Sequence, residues 1–325
     1  MRRIALTAVC AATTAVVVLG QTTANAAPAG SAPARTAPPS TVATATNQVP
    51  DAKTDAYWTP QRIKNAKPLV APKPKAAQSA ERPDAKPGKP RLVPAAAPEG
   101  KPDLRAKAAA NTKTAADTSV WSTVGRLVFS VPGKGDYICT ANVVNSNNHD
   151  VLATARHCVM DIDTGQTYTN FRFAPTYDRG NAPHGWWNWR SMGWRVDDKS
   201  PGGDNAFIVL STGGNDGRHV QDVVGGTGIG FNWDSHNYAH ALGIPGDKDY
   251  AVWCEGAPYD SQQGGVSLKV CGGLSGGASG GPFVVNYQSD GSAVQTASYF
   301  GSWGDAYWAY YRDAAWQVYN GAQNA

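Results

Sequence analysis

The sequence is poor in cysteine, in long apolar runs and, over one long stretch, in large aliphatic residues. Its five cysteines never occur in a C-x-x-C spacing, which argues against a zinc site. The N-terminal apolar run, Ile4 to Leu19, is shorter than the roughly 20 residues of a transmembrane helix, and no later segment is as apolar. Residues 27–118 have few large aliphatic side chains and cannot bury much apolar surface. We therefore expect no membrane span, no metal and no cofactor.

The first 26 residues have the pattern of a secretory signal peptide. Arg2 and Arg3 precede the apolar run, and Ala24-Asn25-Ala26 follows it as a small-x-small cleavage site. We therefore expect residues 1–26 to be removed and the rest of the chain to be secreted into the extracellular space.

The composition of residues 27–118, rich in Ala, Pro, Lys and Thr, predicts a removable pro-segment that is largely disordered. This stretch holds 15 Lys and Arg against 7 Asp and Glu, a net charge of +8, whereas residues 119–325 hold 12 against 18, a net charge of −6. Its lysines lie among prolines without interleaved aromatic residues, so we favour attraction to the acidic domain over binding to nucleic acid or a membrane. One island, Tyr57 to Ile63, predicts a short docking helix with Thr59 as N-cap and Pro60 at its first position.

Four cysteines remain once Cys10 leaves with the signal peptide, and an even number in an exported domain favours two disulfides. Three pairings are possible. The pairing of neighbours, Cys139 with Cys158 and Cys254 with Cys271, would close loops of about 20 and 18 residues and stabilise the fold by on the order of 3 kcal/mol each.

Short β-rich runs separated by Gly, Asn and Asp turns recur from residue 119 onward, which is typical of an all-β barrel or sandwich. This length suffices for two small barrels. Near the end, apolar residues at helical spacing predict an amphipathic helix within residues 306–321. These residues are Trp308, Tyr311, Ala315 and Tyr319. The predicted strands cover residues 124–131, 137–145, 151–155, 206–211, 238–244, 266–270, 282–287 and 294–300.

A serine flanked by small residues occurs in the segment GGASGGP, residues 276–282. Small neighbours let backbone N–H groups approach an incoming carbonyl, and Gly277 and Ser279 would supply those groups. Donors fixed at a developing oxyanion are often the largest single catalytic contribution, each roughly 3 to 4 kcal/mol. Ser279 is therefore a candidate nucleophile, although a plain Gly-Ser loop has the same composition.

His157 is the candidate general base. It ends an apolar strand in the segment TARHC, residues 154–158, where a disulfide through Cys158 would hold its loop rigid. None of the other five histidines has this setting.

Asp204 is the candidate for the acid that orients His157. It immediately precedes the apolar run Ala206 to Leu210, where an unpartnered carboxylate would cost several kcal/mol. A hydrogen-bonded imidazolium is a natural companion there. Asp197 and Asp198 are rivals, but neither leads directly into the apolar run.

Together these segments resemble the chymotrypsin family of serine peptidases, in which TAxHC, D-x-A and G-x-SGGP boxes occur in the order His, Asp, Ser. The boxes stand at residues 154–158, 204–206 and 277–282, and the three candidates are separated by 47 and 75 positions. The resemblance covers roughly residues 120–320. It implies two six-stranded antiparallel β-barrels with a C-terminal helix, and a secreted serine endopeptidase that forms an acyl-enzyme. The order of signal, pro-segment and domain, with residues 119–325 as the peptidase domain, is similar to trypsin-like peptidases exported by actinobacteria.

The resemblance also assigns further positions. Cys139 and Cys158 match the disulfide that brackets the catalytic histidine, and we expect Cys254 to pair with Cys271.

The positions that match the family's substrate pocket are Gly273, Ser298 and Gly301, and Ser298 also matches the serine that supports the aspartate. Gly273 stands where relatives specific for Arg or Lys have an acid. We therefore expect a small or apolar residue on the acyl side of the cleaved bond.

Two positions depart from the family pattern. Residue 156, usually Ala or Gly, is Arg156, whose guanidinium must reach solvent or find a carboxylate. Residue 278, an Asp in relatives that are activated through a freed N-terminus, is Ala278, so that ion pair cannot form. We predict that removal of the pro-segment uncovers a site that is already formed.

Other hydrolase classes fit less well. Residues 277–281 and 273–277 both match the G-x-S-x-G elbow of α/β-hydrolases, but that class needs a histidine after the serine and the last one is His240. The subtilisin order needs an Asp before the His, and Asp136 or Asp150 could only nominally serve.

The non-enzymatic alternative is a catalytically inactive secreted binding protein on a trypsin-like fold. The aromatic segment His184 to Trp189 would then be a ligand surface, although such clusters more often pack over a barrel. For the enzyme we expect as partners a protein or peptide substrate and its own pro-segment, no nucleic acid, and a monomeric state.

Overall fold

The computed structural model describes residues 42–71, 73, 88–99, 122–197, 199–261, 265–269 and 271–325. The predicted signal peptide, residues 1–26, lies outside these residues, as do Asp198 and Val270. Within the described ranges, no helix has the length and apolarity to cross a membrane. In chain order the elements are β1 (Val42–Thr46), α1 (Asp51–Tyr57), α2 (Pro60–Asn65), β2 (Lys67–Pro68), β3 (Arg91–Val93), β4 (Val124–Val131), β5 (Gly135–Val143), β6 (Val151–Thr154), β7 (Thr169–Pro175), β8 (Trp187–Arg195), β9 (Ala206–Leu210), α3 (Val220–Val224), β10 (Gly228–Phe231), β11 (Ala239–Gly243), β12 (Val252–Gly256), β13 (Tyr259–Asp260), β14 (Val266–Leu268), β15 (Pro282–Val285), β16 (Val294–Trp303), β17 (Asp305–Tyr310) and α4 (Asp313–Gln323).

The first barrel is a closed sheet of six antiparallel strands in the order β8-β7-β4-β5-β6-β9, with β8 pairing to β9. Its interior is filled by large side chains such as Phe129, Phe173 and Trp187, all fully buried. Burial of this apolar surface is the main force that stabilises the barrel.

The second barrel is a curled sheet in the order β12-β11-β15-β16-β17-β14-β13 around Phe283, Tyr299 and Trp308. Helix α4 packs its buried face, including Tyr319, against Phe207 of the first barrel. The prediction of an all-β fold with two barrels and a C-terminal helix is confirmed. The chain has the chymotrypsin-like two-barrel architecture.

Both predicted disulfides are present, Cys139–Cys158 in the first barrel and Cys254–Cys271 in the second.

The predicted helix at residues 306–321 is wrong in its first part. Ala306 and Trp308 belong to strand β17, which pairs with both β14 and β16. Both side chains are buried on the core side of the sheet, and their spacing of two residues is that of a strand. The helix prediction used the spacing of three residues from Trp308 to Tyr311. The helix itself begins at Asp313.

Residues 42–71 and 88–99 pack on the two barrels, although their composition predicts little stable structure. Strand β1 pairs antiparallel with β8, β2 pairs parallel with β5, and β3 pairs antiparallel with β10. Pairing at a sheet uses backbone groups and needs few large side chains, which is why composition does not reveal it.

The predicted docking helix is confirmed as α2. The Thr59 side chain accepts a hydrogen bond from the Arg62 N–H, and Pro60 occupies the first helical position. Just before it, Trp58 is buried against Val128 and Ile138, and its indole N–H donates to the Asn170 carbonyl at 2.6 Å.

Candidate active site

The pairing of β6 with β9 brings the candidate base and acid together. His157 lies in a 3₁₀ turn, Arg156–Cys158, just after β6, and Asp204 lies just before β9. Residues Thr154 and Ala206 are direct partners in the two strands, so the turns that follow and precede them meet. The distance from His157 Nδ1 to Asp204 Oδ2 is 2.6 Å, and the His157 backbone N–H donates to Oδ1 at 2.9 Å.

This geometry fixes the imidazole. A carboxylate only accepts hydrogen bonds, so Nδ1 carries a proton and donates it to Asp204, which leaves Nε2 for another partner. Nε2 of His157 is buried and has no hydrogen-bond partner among the described residues. The rival Asp197 instead pairs with Arg195, at 2.5 and 3.0 Å.

Asp204 is buried beside the His157 imidazole and the Arg156 guanidinium. Burial raises the pKa of its carboxyl, but the attraction of His157, its hydrogen bonds and the nearby Arg156 outweigh burial, so the pKa lies below its ordinary value. Nε of Arg156 lies 4.0 Å from Asp204 Oδ1, and its Nη1 donates to the Arg195 carbonyl. Arg156, which departs from the family pattern, therefore has the Asp204 carboxylate as its ionic partner.

The loop that carries Ser279 depends on glycines. Gly277 and Gly280 have φ angles of +92° and +85°, a region that side chains disfavour. A Cβ on Gly280 would lie 2.1 Å from the Thr154 hydroxyl oxygen. This close approach places the Ser279 carbonyl 3.6 Å from Sγ of Cys158, the neighbour of His157. The three candidates therefore lie in one site.

One of the two predicted oxyanion donors is engaged by the chain itself. The N–H of Gly277 donates to the carbonyl of Leu69 at 3.2 Å, and the N–H of Leu69 donates to the Ile138 carbonyl at 3.1 Å. The residues that follow, Val70 and Ala71, line the cavity that contains Ser279.

This cavity, about 230 Å³, is lined by apolar and aromatic residues from β16 and from the loop before Ser279. Phe300 of β16 stands edge-on to the His157 ring, with centroids 5.8 Å apart. The other large lining residues are Leu274, Tyr299 and Trp303.

The three predicted pocket residues have different positions. Gly301 lines the cavity, whereas Gly273 and Ser298 are not among its lining residues. Ser298 is fully buried, and its hydroxyl pairs with the Tyr311 hydroxyl at 2.5 Å instead of with Asp204. Among the described residues, the Ser298 hydroxyl therefore bonds to Tyr311, which follows β17, and the predicted bond to Asp204 is not observed.

Sequence reasoning missed three residues at the site, Phe300, Leu69 and Val70. Phe300 lies within a predicted strand, but nothing in the sequence says which face it occupies. Leu69 and Val70 could have been recognised from the sequence, because they are adjacent aliphatic residues within the Pro-rich stretch.

Two groups of described residues place metal-ligand atom types within 4.8 Å of one another. One is Cys139, His157 and Cys158, whose sulfurs form a disulfide and are not thiolates. The other is Glu99, His149 and Asp222, where His149 Nδ1 is hydrogen-bonded to Asp222 at 2.6 Å.

Comparisons with known proteins agree with the fold. No protein-family model and no curated protein matches the chain. Among solved structures, a thermostable serine protease, AL20, from an extremophilic microorganism is 29% identical, with a TM-score of 0.57, covering 64% of this chain and 99% of that chain. Protease Anisep from Arthrobacter nicotinovorans is 25% identical with a TM-score of 0.57, covering 63% and 96%. A Glu endopeptidase at 14% identity and a TM-score of 0.50, covering 63% and 92%, shares the fold. The structural neighbours of this chain are thus serine proteases.

Proposed function

We propose that this protein is a secreted serine endopeptidase, made as a precursor, with Ser279 as nucleophile, His157 as general base and Asp204 as the residue that orients the base. The observation that supports this most is the 2.6 Å bond between His157 and Asp204, in the same site as the glycine-shaped loop of Ser279. A buried acid, an imidazole and a serine in this arrangement activate a hydroxyl for attack on an acyl group.

The reaction would run in two halves. Ser279 Oγ attacks the carbonyl carbon of a peptide bond while His157 Nε2 takes its proton, and the N–H groups of Gly277 and Ser279 bind the oxyanion. The C–N bond then breaks as His157 gives the proton to the departing amine. Water, activated by the same histidine, releases the acyl group from Ser279. Asp204 keeps the imidazole in the productive tautomer throughout.

The cavity beside Ser279 supports a preference for a small or apolar residue on the acyl side. Leu274, Tyr299, Phe300 and Trp303 offer apolar surface there, and burial of apolar area contributes roughly 25 cal/mol per Å².

Residues 27–118 would act as the removable pro-segment of the precursor. The Leu69 carbonyl engages the Gly277 N–H that the oxyanion needs, and Ala71, only 5% exposed, lies against the cavity. A substrate carbonyl cannot use the same N–H while the segment is in place. The segment also has specific anchors, since Arg62 pairs with Asp136 at 2.8 Å.

The alternative, an inactive binding protein, is less well supported. Its proposed ligand surface was the tryptophan-rich segment, but Trp187 and Trp189 are buried in the first barrel and Trp186 packs against Tyr177. Little of the cluster is left to bind a ligand.

The proposal is tested by hydrolysis of unstructured protein and of a peptide library after the chain has been freed of residues 27–118. Ser279→Ala should lower activity by at least about 10⁴-fold, because the nucleophile is lost, and should leave circular dichroism unchanged. Full activity in Ser279→Ala, or none in the wild type once its segment is gone, would refute the proposal. The library also reports the acyl-side preference.

A further inference from the structure

Thr140 forms hydrogen bonds to the loop of Ser279 with both its backbone and its side chain. It is fully buried in β5, directly after Cys139. Its hydroxyl donates to the Gly277 carbonyl at 2.9 Å, and its N–H donates to the Ser279 carbonyl at 2.8 Å. One residue therefore fixes the loop on both sides of position 278.

The segment after β11 completes this hold. The Thr140 hydroxyl oxygen accepts the N–H of Ile244 at 2.9 Å, which leaves its own proton directed at Gly277. Two residues further on, the N–H of Gly246 donates to the Gly276 carbonyl at 2.9 Å.

Buried Arg126 fixes that segment in turn. Its Nη1 donates to the Ile244 carbonyl at 2.6 Å, and its Nη2 lies 3.0 Å from the half-exposed Asp249. A guanidinium without these partners would be costly in the core, so the segment and Arg126 hold each other in place.

These contacts determine where the loop's N–H groups point. A peptide group is planar and trans, so a fixed carbonyl directs the following N–H the opposite way. Gly246 therefore aims the Gly277 N–H, and the bond from the Gly281 N–H to the Ala278 carbonyl aims the Ser279 N–H. The peptide between these two units, from Gly277 to Ala278, is held on its carbonyl side by the Thr140 hydroxyl and on its N–H side by a bond from Ala278 to the Ser275 carbonyl at 3.0 Å. Gly277 has no side chain to resist rotation of that peptide.

We propose that Thr140 is a positioning residue whose hydroxyl keeps the Gly277 and Ser279 N–H groups aimed at one oxyanion. This inference rests on the proposed peptidase function. The role of Thr140 explains how the loop keeps its conformation with Ala at position 278, whose methyl group cannot form a hydrogen bond or an ion pair. The loop's geometry then depends on the Thr140 hydroxyl and on the segment that Arg126 anchors.

The test compares T140V, T140S, T140A and S279A, each made as the full chain and freed of its N-terminal segment in the same way. Loss of the hydroxyl in T140V should lower kcat by about 10- to 100-fold with KM within about 2-fold, because misaimed oxyanion donors are felt in the transition state. T140S keeps the hydroxyl and should stay within about 3-fold of the wild type. T140A and T140S lack the same methyl group and differ in the hydroxyl, so this pair decides the matter if T140V does not fold.

The outcomes are distinct. A kcat of T140A well below that of T140S, at equal KM, supports the role of the hydroxyl. Equal kcat values in T140A and T140S, or a folded T140V with wild-type kcat, overturn it while the proposed function stands. Wild-type activity in S279A overturns the proposed function itself, and the role of Thr140 with it.

Discussion

At the scale of single residues, the site is held by a buried carboxylate between an imidazole and a guanidinium. Asp204 contacts His157 directly and lies 4.0 Å from Arg156. Asp204→Asn keeps the shape but offers an amide that donates, so the imidazole would adopt the wrong tautomer. We expect kcat to fall by about 10⁴-fold with little change in KM, measured by steady-state hydrolysis. Activity within 10-fold of wild type would show that Asp204 does not orient the base.

The same carboxylate makes stability depend on pH. The pKa of Asp204 is lowered in the folded state, so its interactions stabilise the fold above the unfolded pKa of roughly 3.9 and are lost as pH falls through the folded pKa. Below about pH 4, the unfolding free energy of Asp204→Asn should therefore change less steeply with pH than that of the wild type. Denaturant unfolding between about pH 2 and 7 measures this, and parallel curves would contradict it.

At the scale of elements, the residues after β2 line the cavity that contains Ser279. Ala71 is buried there, whereas Val70 is 68% exposed. Ala71→Arg should displace the segment, because a long charged side chain does not fit, and so raise the rate at which uncut chains hydrolyse a small peptide substrate by at least about 10-fold. Val70→Thr is the matched control and should leave the rate unchanged. If both variants behave like the wild type, the segment does not block the site.

Elements also show what the sequence can and cannot predict. Strand β4 occupies the predicted residues 124–131, because turns bound an apolar run there. The C-terminal helix was predicted to start too early because Trp308 stands three residues before Tyr311, a spacing that fits a helix, although Trp308 belongs to strand β17. The sequence motifs around His157 and Asp204 predicted that these two residues are neighbours in the fold. They could not predict that Ser298 bonds to Tyr311, since that depends on how β16 and β17 align.

At the scale of the whole molecule, the loop that carries Ser279 has its glycine-dependent conformation while residues 42–71 lie on the barrels. Gly277 has its left-handed conformation, and no acidic residue at position 278 awaits a new N-terminus. We therefore expect the domain to be active with several extra residues at its N-terminus, once the segment has been removed. A chain cut at a protease site inserted between residues 105 and 115, and separated from the released segment, tests this. Inactivity until those residues are trimmed would contradict it.

A fluorophosphonate probe measures whether Ser279 is a nucleophile that His157 activates. The probe reacts when a serine oxygen attacks phosphorus and fluoride leaves, so labelling reports an activated hydroxyl. After removal of residues 27–118, mass spectrometry of digested protein should find one label, on Ser279, and His157→Ala should abolish it. Absence of label, label on Ser275 of the overlapping G-x-S-x-G motif, or undiminished labelling in His157→Ala would contradict the account.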